Sequence, residues 1–152
     1  MKILLVYPNA RRELIGLGDL GAIAEPLALE YLAAEARADG HDVKLIDLRL
    51  HPGDLDQTVL AYQPDIVGVT GYSMHVLRNL AICSRVKELC PGCKTVVGGH
   101  HATLLPEDFF EPQIDFVVVG EGAAPFRSIL AAQQGKSQAL SIPGVWALVL
   151  QR

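Results

Sequence analysis

The feature that most restricts the fold of this chain is an alternation repeated five times: a short apolar run, then a segment with apolar residues at helical spacing. Lys2–Pro8 carries Ile3, Leu4, Leu5, Val6 and Tyr7 without a polar break. Asp42–Leu48 carries Val43 and Leu45, and Ile66–Val69 carries Ile66, Val67 and Val69. Lys94–Val97 and Asp115–Val119 complete the set. Successive side chains of a strand face opposite sides, so a continuous apolar run is buried on both. Helices are predicted over Pro26–Asp39, Asp54–Tyr62, His75–Leu89, Leu104–Glu111 and Pro125–Gln134. In the first, Leu27, Tyr31, Ala34 and Ala38 share one face; in the third, Val76, Leu80, Cys83, Val86 and Leu89 do. Strand–helix alternation of this kind implies a parallel sheet with helices on both sides, joined by right-handed crossovers. The expected fold is therefore α/β: a doubly wound, five-stranded parallel sheet, flavodoxin-like (Rossmann-like), in the order 2-1-3-4-5. Residues 1–135 form the expected domain and 136–152 a C-terminal tail, in which Val145–Leu150 is a last extended segment.

Half of the 152 residues are hydrophobic and 20% are charged, which supports a real core and excludes disorder as the main state. The net charge of −4 argues against a nucleic-acid partner, which needs clustered positive charge. No apolar run approaches the ~20 residues of a membrane span, and the start lacks a signal-peptide pattern. Cys83, Cys90 and Cys93 are too few for a disulfide framework and suit a reducing cytoplasm. Cys90-Pro91-Gly92-Cys93 reads either as a redox or metal pair or as a turn that happens to be flanked by cysteines. Its position between a helix and a strand, with Pro-Gly at the centre, favours the turn.

In an open α/β sheet, ligands sit beyond the carboxyl ends of the strands. The first strand exits at Pro8-Asn9, the third at Thr70-Gly71-Tyr72-Ser73, the fourth at Gly98-Gly99-His100-His101 and the fifth at Gly120-Glu121-Gly122. Glycine at one exit merely turns a chain; glycine at three exits on one rim lets a ligand approach the main chain and marks a binding crevice. No G-x-x-x-x-G-K-S/T loop is present, and Gly71-Tyr72-Ser73-Met74-His75 lacks the last glycine of a nucleophile elbow. Gly16, Gly18 and Gly21 have the spacing of a dinucleotide fingerprint but do not open directly from the first strand. Asn9 and Thr70 stand where a phospho-receiver domain needs acidic residues, and Asn9-Ala10-Arg11-Arg12 is not a flavodoxin phosphate loop. Glu121 either bonds a ligand or caps the next helix, and His75 either faces a ligand or packs at its helix start.

The order and spacing of several segments resemble a known family. They are Lys2-Ile3-Leu4-Leu5-Val6-Tyr7-Pro8-Asn9, Pro26-Leu27-Ala28-Leu29 with Tyr31-Leu32-Ala33, Gly40-His41-Asp42-Val43, and Pro64-Asp65-Ile66-Val67-Gly68-Val69-Thr70. Val96-Val97-Gly98-Gly99-His100-His101-Ala102-Thr103 and Asp115-Phe116-Val117-Val118-Val119-Gly120-Glu121-Gly122 complete them. Over residues 1–130 the chain resembles the cobalamin-binding domain at the amino end of cobalamin-dependent radical S-adenosylmethionine enzymes. It departs from the D-x-H-x-x-G pattern whose histidine ligates cobalt, because no histidine follows the first strand before His41. It also has His100 where the family often has proline, and Ser73-Met74-His75 where an S-x-L element often lies.

The resemblance implies a bound cobalamin with its base detached from cobalt and slotted between sheet and helices, and no protein nitrogen below the metal. Gly68 and Gly98 would thin the slot wall, and Asn9, Thr70 and Ser73 would supply hydrogen bonds. Gly71, Tyr72, Met74, Gly99, His100, His101, Gly120, Glu121 and Gly122 would complete the site, with no metal ligand and no catalytic residue among them. The cysteine spacing does not fit the C-x-x-x-C-x-x-C of an iron–sulfur cluster, so catalysis is expected to need a radical S-adenosylmethionine domain or protein as partner. Two other readings stay open: a flavodoxin-like domain for another nucleotide-like ligand, and a degenerate domain kept for protein contacts.

Overall fold

A computed structural model describes residues 1–9, 25–135 and 142–148. Strand β1 (Lys2–Tyr7) pairs in parallel with β2 (Asp42–Asp47) from Lys2 opposite Asp42 to Tyr7 opposite Asp47, and on its other side with β3 (Ile66–Val69). β3 pairs with β4 (Lys94–Val97), and β4 with β5 (Phe116–Val118), all parallel. A sixth strand, β6 (Val145–Ala147), joins β5 antiparallel, giving the order β2-β1-β3-β4-β5-β6. The five parallel strands thus follow the expected order, and part of the segment expected as a tail closes the sheet edge. The chain crosses outward from β1 to β2 and returns to β3 on the other side of β1, which sets the topological switch between β1 and β3.

The period-two alternation of the strands divides the core. Ile3, Leu5, Ile66, Val96, Phe116 and Val118 face helices α1 (Leu27–Ala38) and α5 (Ala123–Gln133). Leu4, Val6, Val67, Val69, Val97 and Val117 face α2 (Asp54–Tyr62) and α3 (Val76–Leu89). Of the α3 face read from the sequence, Cys83 and Val86 are fully buried, while Val76, Leu80 and Leu89 pack half-buried at its margins. The α1 face read from the sequence is a correction. Leu29, Ala33 and Ala36 meet the sheet, whereas Leu27 is 68% and Tyr31 56% exposed. The helix is apolar on two flanks, and only one of them is covered by the sheet.

A second correction concerns the helix expected over residues 104–111. The segment instead forms α4 (His100–Leu104) and a separate 3-10 turn, Pro106–Phe109. Gly99, at φ +99°, turns the chain into α4 as soon as β4 ends. The Thr103 hydroxyl donates to the Gly99 carbonyl at 2.9 Å and accepts the Gly120 N–H at 3.0 Å, joining α4 to the β5 exit.

Cys93 N–H donates to the Cys90 carbonyl at 2.9 Å, so Cys90-Pro91-Gly92-Cys93 is a turn. Burial pushes the Cys83 and Cys93 thiols up to about 12, which keeps both protonated. At the amino end of the sheet, Asp115 accepts from Lys87 Nζ (2.5 Å), Lys94 Nζ (3.0 Å) and the Thr95 N–H (2.8 Å). Burial alone would raise the Asp115 carboxyl; the bonds from Lys87, Thr95 and Lys94 outweigh it and hold it below 3.8. A depressed folded-state pKa contributes stability above the unfolded value and loses it as pH falls through the folded one. Asp115→Asn is expected to cost about 2 kcal/mol at pH 7. Urea unfolding as a function of pH checks this: the gap between wild type and variant should close below pH ~4.

Candidate cofactor-binding site

A cleft of about 790 Å³ opens at the carboxyl ends of the parallel strands, on the face covered by α1 and α5. Its floor is Leu5, Gly68, Val96, Gly98 and Val118, residues that share one side of the sheet. The exposed flank of α1 supplies one wall through Leu27, Ala28, Tyr31 and Leu32, and Ala123 and Phe126 at the start of α5 supply the other. Thr70, Tyr72, Gly99, His100, Thr103, Gly120, Glu121 and Gly122 line its mouth.

The glycines of the rim do two different jobs. A Cβ at Gly98 would touch only Val118, at 3.6 Å from its Cβ, so this position leaves the floor low without being required by the fold. A Cβ at Gly68 would stand 2.9 Å from Leu5 Cδ2. Gly71 and Gly99 instead serve the chain itself. A Cβ on Gly71 would lie 2.7 Å from His75 Nδ1, and one on Gly99 would strike Thr70 Oγ1 and the Gly71 backbone. The absent Cβ of Gly71 makes room for the His75 ring, and that of Gly99 lets the β4 exit pack against the β3 exit.

Nine of the residues expected from the sequence therefore share the cleft: Gly68, Thr70, Tyr72, Gly98, Gly99, His100, Gly120, Glu121 and Gly122. The others stand apart from its lining. Asn9 Oδ1 accepts from Arg78 Nε at 2.6 Å, Gly71 lies under the His75 ring, and Met74 is 62% exposed outside. Ser73 Oγ and His101 Nδ1 lie 2.9 Å from each other. Gly16, Gly18, Gly21, Arg11 and Arg12 lie outside the described residues. The α1 and α5 walls were missed by reading strand exits alone. The signal for them is Pro26-Leu27-Ala28-Leu29, which is more apolar than one buried helical face requires.

The mouth is braced by rings. His75, fully buried, accepts the Tyr72 N–H at Nδ1 (2.9 Å), and Tyr7 meets it edge-on with centroids 5.8 Å apart. Arg49, bidentate to Asp47, lies over the Tyr7 ring at 4.0 Å. Tyr72 and His100 then stand exposed at the mouth with centroids 5.8 Å apart. Asn79 Nδ2 donates to the Thr70 carbonyl at 3.2 Å from beneath. The β3 exit is thus held rigidly from the α3 side, as a binding site requires. Glu121 Oε1 accepts the Ala123 N–H at 3.4 Å, so this side chain reaches the helix start while lining the cleft.

Among the described residues no Lys or Arg lines the cleft, and Glu121 is its one carboxylate. An apolar, glycine-floored slot suits a flat, largely uncharged group. Among the described residues, no set of His, Cys, Asp and Glu is arranged to hold a metal ion, and no helix is long and apolar enough to cross a membrane.

The fold and cleft define a flavodoxin-like module for a large, flat cofactor. Residues 14–130 match the B12 binding domain, and the chain belongs to that family; its cofactor is cobalamin. An uncharacterized methyltransferase of Pyrococcus horikoshii is 34% identical over 137 residues, covering 87% of this chain and 29% of that protein. The hopanoid C-3 methylase of Methylococcus capsulatus is 32% identical over 129 residues, covering 82% of this chain and 25% of that protein. The chain thus spans between a quarter and a third of these relatives. Among solved structures, the cobalamin-dependent S-adenosylmethionine radical enzyme OxsB with aqua-cobalamin and S-adenosylmethionine bound is similar at TM-score 0.78 and 18% identity. That match covers 95% of this chain and 20% of OxsB, a likeness of fold.

Proposed function

We propose that this domain carries cobalamin with its nucleotide base off cobalt and no protein histidine in its place, and presents it to a radical S-adenosylmethionine catalytic domain or protein in the cytoplasm. The observation that carries the reading is the open cleft whose floor is lowered by Gly68 and Gly98. Phe126, Tyr31 and Leu32 would sandwich the flat base, with Thr70 at hand for its polar edge. The macrocycle would be left at the mouth, against Tyr72 and His100. The absence of a protein ligand is supported by Pro8-Asn9 at the β1 exit and by the engagement of His75 and His101 in bonds within the chain. Bound cobalamin supplies a cobalt centre for methyl transfer or radical chemistry; this chain's residues bind and orient it, and the reaction belongs to the partner.

Mixed with hydroxocobalamin, the protein is expected to stay red through gel filtration and to show the absorption of a detached base. Reduced to cobalt(II), it should show no nitrogen splitting from a protein imidazole in its paramagnetic resonance spectrum. Loss of cobalamin with retention of a flavin or nucleotide would replace this reading with that of another ligand. Retention of none of them would leave a protein-contact domain.

A further inference from the structure

One stripe of α1 changes character along its length. Leu27, Tyr31, Glu35 and the capping Asp39 follow one another four residues apart, so they share a flank of the helix. The upper two line the cleft. The lower two hold Arg127 of α5. Its Nε and Nη2 donate to the two Asp39 oxygens at 2.6 and 2.8 Å, and its Nη1 donates to Glu35 Oε2 at 3.3 Å. Arg127 in turn lies four residues after Ala123 and directly after Phe126, both in the opposite wall. The clasp therefore joins the same two helices that part to form the slot.

Two observations tie this clasp to the slot rather than to its own helices. Glu35 and Asp39 stand at the carboxyl end of α1, where the helix dipole disfavours acids. The face that α1 turns to the sheet is Leu29, Ala33 and Ala36. Its two alanines have no side chain long enough to key into the sheet, so they fix the sideways position of the helix weakly. A forked guanidinium that grips a carboxylate at both oxygens fixes distance and direction together, which a lysine does not.

We propose that Arg127 is a positioning residue for the cofactor: it sets the distance between the α1 and α5 walls, and so the width of the slot, without lining it. The inference rests on the cobalamin reading above. The three charged side chains are a third to a half exposed, so the clasp is open to screening by salt. The affinity for the cofactor therefore falls with ionic strength, although among the described residues no Lys or Arg lines the cleft.

The test is equilibrium binding of hydroxocobalamin at about 0.02 and about 1 M sodium chloride, beside thermal unfolding of the unloaded protein. Arg127→Gln should weaken binding at low salt roughly two- to fivefold. Wild type should lose about the same factor on going to high salt, and the variant should lose none. Asp39→Asn should weaken binding in the same way, and the double variant should be no weaker than Arg127→Gln alone. Arg127→Lys, which keeps the charge without the fork, should keep part of the affinity. At temperatures where the variants are folded, a clasp that serves stability alone would lower the unfolding midpoint and leave binding untouched. That outcome, additive losses, or an Arg127→Gln variant with the salt dependence of wild type would overturn the proposal. A wild type that does not bind hydroxocobalamin at either salt concentration would overturn the cobalamin reading, and this inference with it.

Discussion

Gly98→Leu is expected to abolish cobalamin retention while leaving the domain folded. The backbone at Gly98 has no left-handed requirement, and its N–H stays in the bond to the Val69 carbonyl at 3.0 Å. A Cβ there meets only ordinary contacts with Val118, so the larger side chain is tolerated at its root and projects from the floor. It then occupies the space between Gly68, Phe126 and the α1 wall. Overlap with a rigid flat ligand costs on the order of 3 kcal/mol, a loss of about a hundredfold or more in affinity. Gly98→Ala, with one methyl in normal contact, should bind within a few-fold of wild type. Equilibrium dialysis with hydroxocobalamin, read beside thermal unfolding, checks the pair. A leucine variant that binds normally would move the base-binding slot away from this cleft.

Gly99→Ala, one residue along, should do the reverse and damage the fold itself. Its φ of +99° is strained for any L side chain, and the new Cβ would come within 2.8 Å of the Gly71 nitrogen, a backbone atom that cannot turn aside. Relief requires separating the β3 and β4 exits, with loss of the His101 N–H to Gly71 carbonyl bond at 3.3 Å. The expected cost is about 3 kcal/mol or more, visible as a lower urea midpoint with an unchanged slope. An alanine variant as stable as wild type would show that these exits pack less tightly than the structure has them.

The contrast between these neighbours marks where sequence reading ends. Gly98 and Gly99 are alike as letters, and only three-dimensional packing separates the one that keeps a floor low from the one that permits a close approach of strands. The sheet itself was legible because its inner strands β1, β3 and β5 are apolar on both faces. The α1 wall was not, because Leu27 and Tyr31 have the spacing of core residues and periodicity cannot say which of two apolar flanks meets the sheet. The early start of α4 was hidden because it depends on a left-handed glycine. The direction of β6 was equally unmarked, since a three-residue strand carries no signal for parallel or antiparallel pairing.

The two helical layers differ. The α2 and α3 layer covers a cluster of buried side chains, whereas α1 and α5 flank the cleft that, on the proposed reading, a ligand from solution fills. A guest that binds only the folded state adds to stability as the logarithm of its concentration over its dissociation constant. On that reading the cargo would work as a replaceable piece of hydrophobic core, and the firmness of the module would follow the supply of the vitamin.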